Sequence, residues 1–222
     1  MEIKSLLDKL HNKTKRDYLK RVNDKKYPKF KAAQIAKKWG YDYWDGDRRI
    51  NYGGYKYIPG RWTSLAKKMI KLYNLKDNSK ILDIGCGKGF LLYELKKINP
   101  TFSVFGVDIS KYAIKNSKKE IKKYLKYSNC TKLPFKNNYF DFAFSINTFH
   151  NLYNYELDKS LKEITRVSKR QYICVESYKN EIEKTNLLYW QVTCESFYTP
   201  KEWKWFFKNS NYRGDYSFIY FK

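Results

Sequence analysis

The sequence is poor in the residues that build metal and disulfide frameworks. It holds two histidines, His11 and His150, and four cysteines, Cys86, Cys130, Cys174 and Cys194, none in a C-x-x-C pair. A zinc site of the usual Cys/His kind is therefore excluded, and no metal is expected. Cysteines scattered this way in a chain without a secretory signal read as reduced, mostly buried small hydrophobes. No apolar run approaches the roughly 20 residues needed to cross a bilayer, so no membrane insertion is expected. The opening MEIKSLLDKLHNK lacks the apolar stretch and small-residue cleavage site of a signal peptide, which points to a cytoplasmic protein. Acidic residues are scarce as well, 22 against 46 Lys and Arg, for a net charge of +24. That imbalance fits a polyanionic partner such as nucleic acid, a nucleotide or a phosphorylated substrate. It fits plain composition better, because Lys is spread along the whole chain with no basic tail or RGG tract. Charge alone does not decide the function.

What is present suits a packed core. The 222 residues are 42% hydrophobic and 19% aromatic, enough for one globular domain with an N-terminal extension and too little for two full domains. No internal repeat is visible. Residues 1–40 read as basic helices: Ile3, Leu6, Leu7 and Leu10 fall at helical spacing, and Pro28 can open a second helix carrying Phe30, Ala33 and Trp39. Residues 41–62 (YDYWDGDRRINYGGYKYIPGRW) are dense in aromatics, glycine and charge with no period, and read as a loop. Thr63 then caps a helix with Leu65, Met69, Leu72 and Tyr73 on one face. This divides the chain into residues 1–76, N-terminal helices and a lid loop, and 77–222, the main domain.

From Lys80 the pattern alternates strand and helix. KILDI (80–84), TFSVFGVD (101–108), YFDFAFSI (139–146) and QYICVES (171–177) are strands. Helices follow with Leu91, Leu92, Leu95 and Ile98, from Tyr112 to Tyr124, and with Leu157, Leu161, Ile164 and Val167. The alternation predicts an α/β fold with a doubly wound parallel sheet. The last strand, Tyr216 to Phe221, follows a short helix near Pro200–Lys208 and can pair antiparallel at the edge.

The most informative stretch is Asp83-Ile84-Gly85-Cys86-Gly87-Lys88-Gly89, between a strand and a helix. Glycines there let the chain turn sharply and bring a ligand against the main-chain N–H groups of a helix N-terminus. A nicotinamide dinucleotide needs a third glycine where Phe90 stands, and a Walker loop needs Ser or Thr where Gly89 stands. What remains is a G-x-G-x-G turn preceded by an acid. Asp108 ends the next strand 23 residues after Gly85, near the ribose-acid spacing of about 20, and its carboxylate can accept both ribose hydroxyls. Asn129 and the Cys130 backbone N–H then offer themselves to an adenine edge.

These motifs, ILDIGCGKGF, FGVDIS and LPFKNNYFDFAFSINTFHNL, resemble in order those of class I S-adenosylmethionine-dependent methyltransferases, over about residues 79–177. The resemblance implies a Rossmann-like seven-stranded sheet with an antiparallel last strand, and S-adenosylmethionine as cofactor. By similarity Gly85, Gly87 and Gly89 wrap the methionine part, with Asp83 near its amino group and Asp108 on the ribose. Cys86, Ile109 and Asn147 complete the implied cofactor set. Asn129 stands where the family often has an acid facing the adenine amino group; its side-chain oxygen can accept the same bond.

For the acceptor, His150 lies just beyond a strand's C-terminal end, where α/β sites form, and reads either as a general base for an O-methyl acceptor or as a structural histidine. The segment FSINT lacks the N-P-P-Y or D-P-P-Y of nucleic-acid amino methyltransferases, which lowers a nucleic-acid substrate. In the 41–62 loop Arg48, Arg49, Lys56 and Arg61 alternate with Tyr43, Trp44, Tyr52, Tyr55, Tyr57 and Trp62. Arginine forks suit phosphate and the rings can stack on a base or sugar, so the loop reads as the acceptor-recognition element, or else as a lid packed over the cofactor. Glu176 and Tyr178 can line the same cleft. This loop ahead of the core, with the ending GDYSFIYF, resembles methyltransferases linked to O-methyl phosphoramidate decoration of capsular polysaccharides. The implied substrate is a small anionic or nucleotide-linked phosphoramidate precursor; an RNA or protein substrate and a sugar hydroxyl remain as alternatives.

Overall fold

The computed structural model describes residues 6–7, 16–50 and 55–222. Ile3, Leu10, His11 and Tyr52 lie outside the described residues. Among those described, six strands form one sheet: β1 (Lys80–Ile84), β2 (Ser103–Asp108), β3 (Leu125–Tyr127), β4 (Phe142–Ile146), β5 (Gln171–Glu176) and β6 (Asp215–Ile219). Their order is β3-β2-β1-β4-β5-β6, and every neighbouring pair is parallel.

This corrects two expectations at once. The sheet has six strands among the described residues, not seven, and its last strand runs parallel to β5, from Tyr172 opposite Asp215 to Glu176 opposite Ile219. The cause is the connection. Between β5 and β6 the chain crosses over through helices α8 (Glu181–Trp190) and α9 (Pro200–Asn209), and a crossover returns the chain to the end where the previous strand began. An antiparallel partner would need a connection that entered β6 from the end of the sheet where β5 stops.

Side chains alternate across the sheet into two cores. Ile81, Val104, Phe142, Phe144 and Tyr172 meet α4 (Thr63–Leu72) and α5 (Phe90–Ile98) through Leu65, Met69, Leu92 and Leu95. Leu82, Ile84, Val107, Ala143, Ile173 and Val175 meet α7 (Asn154–Val167) through Leu157, Leu161, Ile164 and Val167, and α9 through Trp203 and Phe207. Being covered on both faces, the central strands are apolar throughout. The N-terminal segment adds α1 (Tyr18–Val22), α2 (Lys29–Ala36) and α3 (Tyr41–Trp44), whose Ala32, Ala36, Tyr43 and Ile50 cluster with Val192.

Local details differ where the apolar period fails. The expected 112–124 helix is α6 (Lys111–Lys115) followed by a 3-10 turn at Lys122–Tyr124, because after Ala113 and Ile114 no apolar residue recurs until Ile121. Pro28 does precede α2, but the buried residues are Ala32 and Ala36 while Phe30 faces solvent. Thr63 is the first residue of α4 rather than its cap; its hydroxyl donates instead to Glu94 at 2.5 Å. Thr199 and Glu202 cap α9 reciprocally, with Pro200 at its first position.

Candidate active site

The strand order reverses between β1 and β4, and a crevice opens at their C-terminal ends, where ligands of open α/β sheets bind. β1 stops at Gly85 because the chain there enters the left-handed region, at φ +79° for Gly85 and +54° for Gly87. Gly85 and Cys86 donate their N–H groups to Val107 O at 2.8 and 3.1 Å, which pins the turn to the end of β2. The crowding is severe: a β-carbon at Gly85 would lie 2.0 Å from Thr148 Oγ1, and one at Gly87 would lie 2.6 Å from the ring of Trp44.

Asp108 locks the turn from the other side. One carboxylate oxygen accepts Gly87 N–H and the other Ser110 N–H, both at 2.7 Å. Burial raises its pKa even though these bonds oppose the rise. Asp83 lies on the neighbouring strand, fully buried, and burial followed by the nearby Asp108 pushes its pKa far up. Burial likewise raises the thiols of Cys86, well above the ordinary value, and of Cys130, to about 11, so both are protonated small hydrophobes.

A cavity of about 810 Å³ spreads from this turn, within the roughly 300–1,000 Å³ range of small-molecule sites. Asp83, Gly85, Cys86, Gly87, Asp108, Ile109, Asn129, Cys130 and Asn147 line it, as do His150, Tyr43, Arg48, Tyr55 and Arg61. Gly89, also expected to wrap the cofactor, caps α5 and packs instead toward Ile121 and Leu125. Asn129 is exposed, and its side-chain oxygen already accepts Thr131 N–H at 2.9 Å. Asn147 has a left-handed backbone, φ +56°, and its buried Oδ1 has no hydrogen-bond partner.

Three residues expected at the acceptor are directed elsewhere. Arg49 is held by Asp47, through Nε at 3.0 Å and Nη2 at 2.5 Å, and lies over the Tyr27 ring. Tyr57 donates its hydroxyl to Glu94 on α5, a bond that pushes its pKa up to about 12. Tyr178 packs against the first core and has Lys184 beside its ring. None of the three lines the cavity.

The segment around α3 closes over the glycine turn. Trp44 Nε1 donates to Ser110 Oγ at 2.8 Å, and Ser110 Oγ donates to Trp39 O at 2.6 Å. Asp45 receives Lys88 Nζ on both oxygens, at 2.6 and 2.7 Å, and the Tyr112 hydroxyl at 2.9 Å. The Lys88 side chain is only 7% exposed, and Asp45 is the carboxylate that pairs with it. Asp45→Asn should therefore cost about 1–2 kcal/mol, below the 3–5 kcal/mol of a fully buried pair because Asp45 is a quarter exposed. Hydrogen exchange over residues 39–50 should quicken; unchanged protection there would remove the ion pair as the latch.

His150 sits in a 3-10 turn after β4, 2% exposed, and burial drives its pKa down to about 3. Its Nδ1 accepts the Glu176 backbone N–H at 3.3 Å, and its Nε2 lies 3.6 Å from Glu176 Oε2. A histidine whose folded pKa is lowered favours the native state fully above its unfolded value near 6.5, and that contribution fades as pH falls toward 3. The loss amounts to about 1.4 kcal/mol per pH unit inside that window. Denaturant melts of wild type and His150→Gln should accordingly converge from pH 6.5 down to 4; parallel curves would show that the imidazole charges freely in the fold.

Sequence reasoning named Glu176 only in passing and passed over Arg16, Thr148, Asn151 and Gln191, all of which line the cavity. No motif flags them, since they come from four separate segments, around residues 16, 148–151, 176 and 191.

Comparison with known proteins decides the family. The methyltransferase domain family matches residues 75–211, more than half of the chain. The chain belongs to that family. S-adenosylmethionine is the cofactor of this methyltransferase, and the cavity suits it: two buried carboxyls and the unpaired Asn147 oxygen offer acceptors to a cationic, hydroxyl-bearing ligand. The protein-L-isoaspartate(D-aspartate) O-methyltransferase family also matches, over residues 6–133, which end before β4. An uncharacterised protein of Methanocaldococcus jannaschii is 33% identical over 125 residues, covering 56% of this chain and 47% of that one. Demethylmenaquinone methyltransferase of Staphylococcus saprophyticus is 31% identical over 118 residues, half of each chain. The methyltransferase thus spans about half the length of these relatives. Among solved structures, an S-adenosylmethionine-dependent methyltransferase of Methanosarcina mazei superposes with a TM-score of 0.52 at 24% identity, covering 64% of this chain and 82% of that one. YcgJ of Bacillus subtilis gives 0.52 at 19% identity, over 65% and 66%. Both likenesses concern the fold. No helix among the described residues is long and apolar enough to cross a membrane, and none of their His, Cys, Asp and Glu side chains group as a metal site.

Proposed function

We propose that this methyltransferase acts on a small phosphorylated or nucleotide-linked acceptor held under the lid formed within residues 1–76, with the Rossmann-like unit 77–222 carrying the cofactor. One observation carries the reading: the cavity lining combines Arg16, Arg48 and Arg61 with the rings of Trp39, Tyr43 and Tyr55. Arg48 and Arg61 are exposed, and neither forms an ion pair among the described residues, so both are available to an anion. Guanidinium forks bind phosphate oxygens in pairs, and flat rings stack on a base or sugar.

In this arrangement Asp83 and Asn147 would receive the amino group of the cofactor's methionine part and Asp108 its ribose, while the cofactor supplies an electrophilic methyl group. The protein's share is to hold the acceptor in line with that methyl and to shut out water, which is the work of positioning rather than of covalent catalysis. The narrower candidate, a phosphoramidate precursor of capsular polysaccharide, rests on the resemblance of the 41–62 loop. The test is mass spectrometry with deuteromethyl-labelled S-adenosylmethionine and a panel of sugar phosphates, nucleotides and a nucleoside monophosphoramidate. A labelled methyl on one of these, with Arg48→Ala and Arg61→Ala raising KM at least fivefold, supports the reading. Unchanged KM in both variants would defeat it.

A second reading, a protein carboxyl methyltransferase, draws on the match over residues 6–133 and on the +24 charge. A polymer binder should lose affinity steeply with salt, and a single phosphate-bearing metabolite far less.

A further inference from the structure

The acceptor end of the cavity contains an unusual concentration of unbonded oxygen. Gln191, 4% exposed, donates Nε2 to Glu176 Oε2, which fixes its amide and leaves Oε1 buried without a partner. Asn151 donates Nδ2 to Asn147 O at 3.2 Å, which leaves its buried Oδ1 unpaired; the Oδ1 of Asn147, assigned above to the cofactor, is a further buried acceptor on the same segment. Glu176 is 6% exposed; its Oε2 is taken by Gln191 and faces His150, while its Oε1 receives no hydrogen bond among the described residues. All four side chains line the one cavity. Buried acceptors are almost always satisfied, so a row of orphans marks where a ligand's donors belong.

We propose that this pocket receives a hydroxyl group of the acceptor and that Glu176 Oε1 takes its proton, with His150 and Gln191 acting as positioning residues. This inference rests on the methyl-transfer reading and narrows its acceptor atom to a hydroxyl oxygen. A phosphoryl oxygen is ionised already and needs no base. An ammonium is disfavoured by Arg16, whose charge acts on Glu176 and whose guanidinium lies 4.6 Å from the Phe221 ring centre. In the reaction the acceptor's O–H bond breaks with its proton passing to Oε1, and the freed oxygen pair bonds to the methyl carbon. The pair of the broken carbon–sulfur bond stays on sulfur, leaving S-adenosylhomocysteine and a protonated Glu176.

The surroundings of Glu176 suit a base working near neutrality. Burial pushes its carboxyl up to about 8, opposed first by Arg16 and then by the Gln191 bond. The groups facing it are His150 from the turn after β4, Gln191 and Cys194 from the segment after α8, Arg16 ahead of α1, and Tyr43 of α3. The neighbouring β6 offers Ile219 to the cavity and the chain beyond it Phe221, and Trp203 of α9 bonds the Glu176 carbonyl at 3.0 Å. His150 stays neutral and Tyr43 stays protonated, because burial disfavours the charge on each.

The test compares wild type with Glu176→Gln. S-adenosylhomocysteine should bind both within threefold by calorimetry. Carbon-13 labelling of glutamate carboxyls should show one signal titrating near pH 8 in wild type and missing from the variant. With deuteromethyl S-adenosylmethionine, glucose 6-phosphate and glycerol 3-phosphate are offered beside phosphoethanolamine and inorganic phosphate. The expected product is a methyl ether on a hydroxyl-bearing probe, with kcat/KM rising with pH to a plateau near 8 and at least a hundredfold loss, without that pH limb, in Glu176→Gln. Methylation confined to phosphate oxygen or to nitrogen, hydroxyl turnover within threefold in the variant, or no hydroxyl probe methylated while S-adenosylhomocysteine binds would each overturn the proposal. Failure of wild type to bind S-adenosylhomocysteine would overturn the methyl-transfer reading itself.

Discussion

Gly85→Ala should abolish S-adenosylhomocysteine binding, with affinity down at least a hundredfold and the melting temperature down by roughly 10 °C. Two costs add. The backbone at φ +79° is left-handed, which charges an L residue about 1–2 kcal/mol. The new methyl would then lie 2.0 Å from Thr148 Oγ1 and 2.5 Å from Thr148 Cγ2, so the chain leaving β4 must give way; overpacking of this kind costs about 1–3 kcal/mol. Thr148 belongs to the same crevice as Asn147 and His150, so the displacement reaches both halves of the site. Gly60→Ala is the control, since Gly60 has the same φ of +79° with nothing within 4 Å of a β-carbon. Calorimetry and thermal melts on the two variants separate backbone cost from collision. Equal losses in both would mean that the contact with Thr148 carries no weight.

Asp108→Ala is the second large effect. It removes the acceptor of two buried N–H groups, those of Gly87 and Ser110, each costing about 1–3 kcal/mol when left unpaired. The glycine turn loses one of its anchors to β2 and the cavity loses a carboxylate together, so S-adenosylhomocysteine affinity should fall tenfold to a thousandfold. Asp108→Asn should sit between, because an amide oxygen can accept one of the two bonds and its NH₂ cannot accept the other. Titration calorimetry on the three proteins gives the ranking, and equal affinities would show that Asp108 organises neither turn nor ligand.

How much of this was legible depended on how local the cause is. KILDI, the glycine turn and the acid at the end of the second strand lie within one strand-turn-helix-strand unit, and their spacing carried through to the crevice. The apolar stripe of Leu157, Leu161, Ile164 and Val167 likewise became the buried face of α7. β3 was invisible because it has three residues, Leu125–Tyr127, two of them exposed, and so no pattern to read. The direction of the last strand was invisible because strands of either direction can show the same alternation; the connection decides. Arg49, Tyr57 and Tyr178 were expected at the acceptor for their chemistry, but local and long-range partners hold them elsewhere. Asp47 is two residues from Arg49, whereas Glu94 is 37 residues from Tyr57.

The sequence by itself determined the α/β class and the glycine turn at the crevice, because strand, glycine and helix N-terminus are contiguous and their conformations follow from residue type. Only the tertiary structure decided which arginines and tyrosines face the cavity, that Trp44 stands over Gly87, and that Glu176 meets Gln191 and His150. Those outcomes depend on burial, and burial is set by which distant segments come together, a quantity that no window of sequence contains.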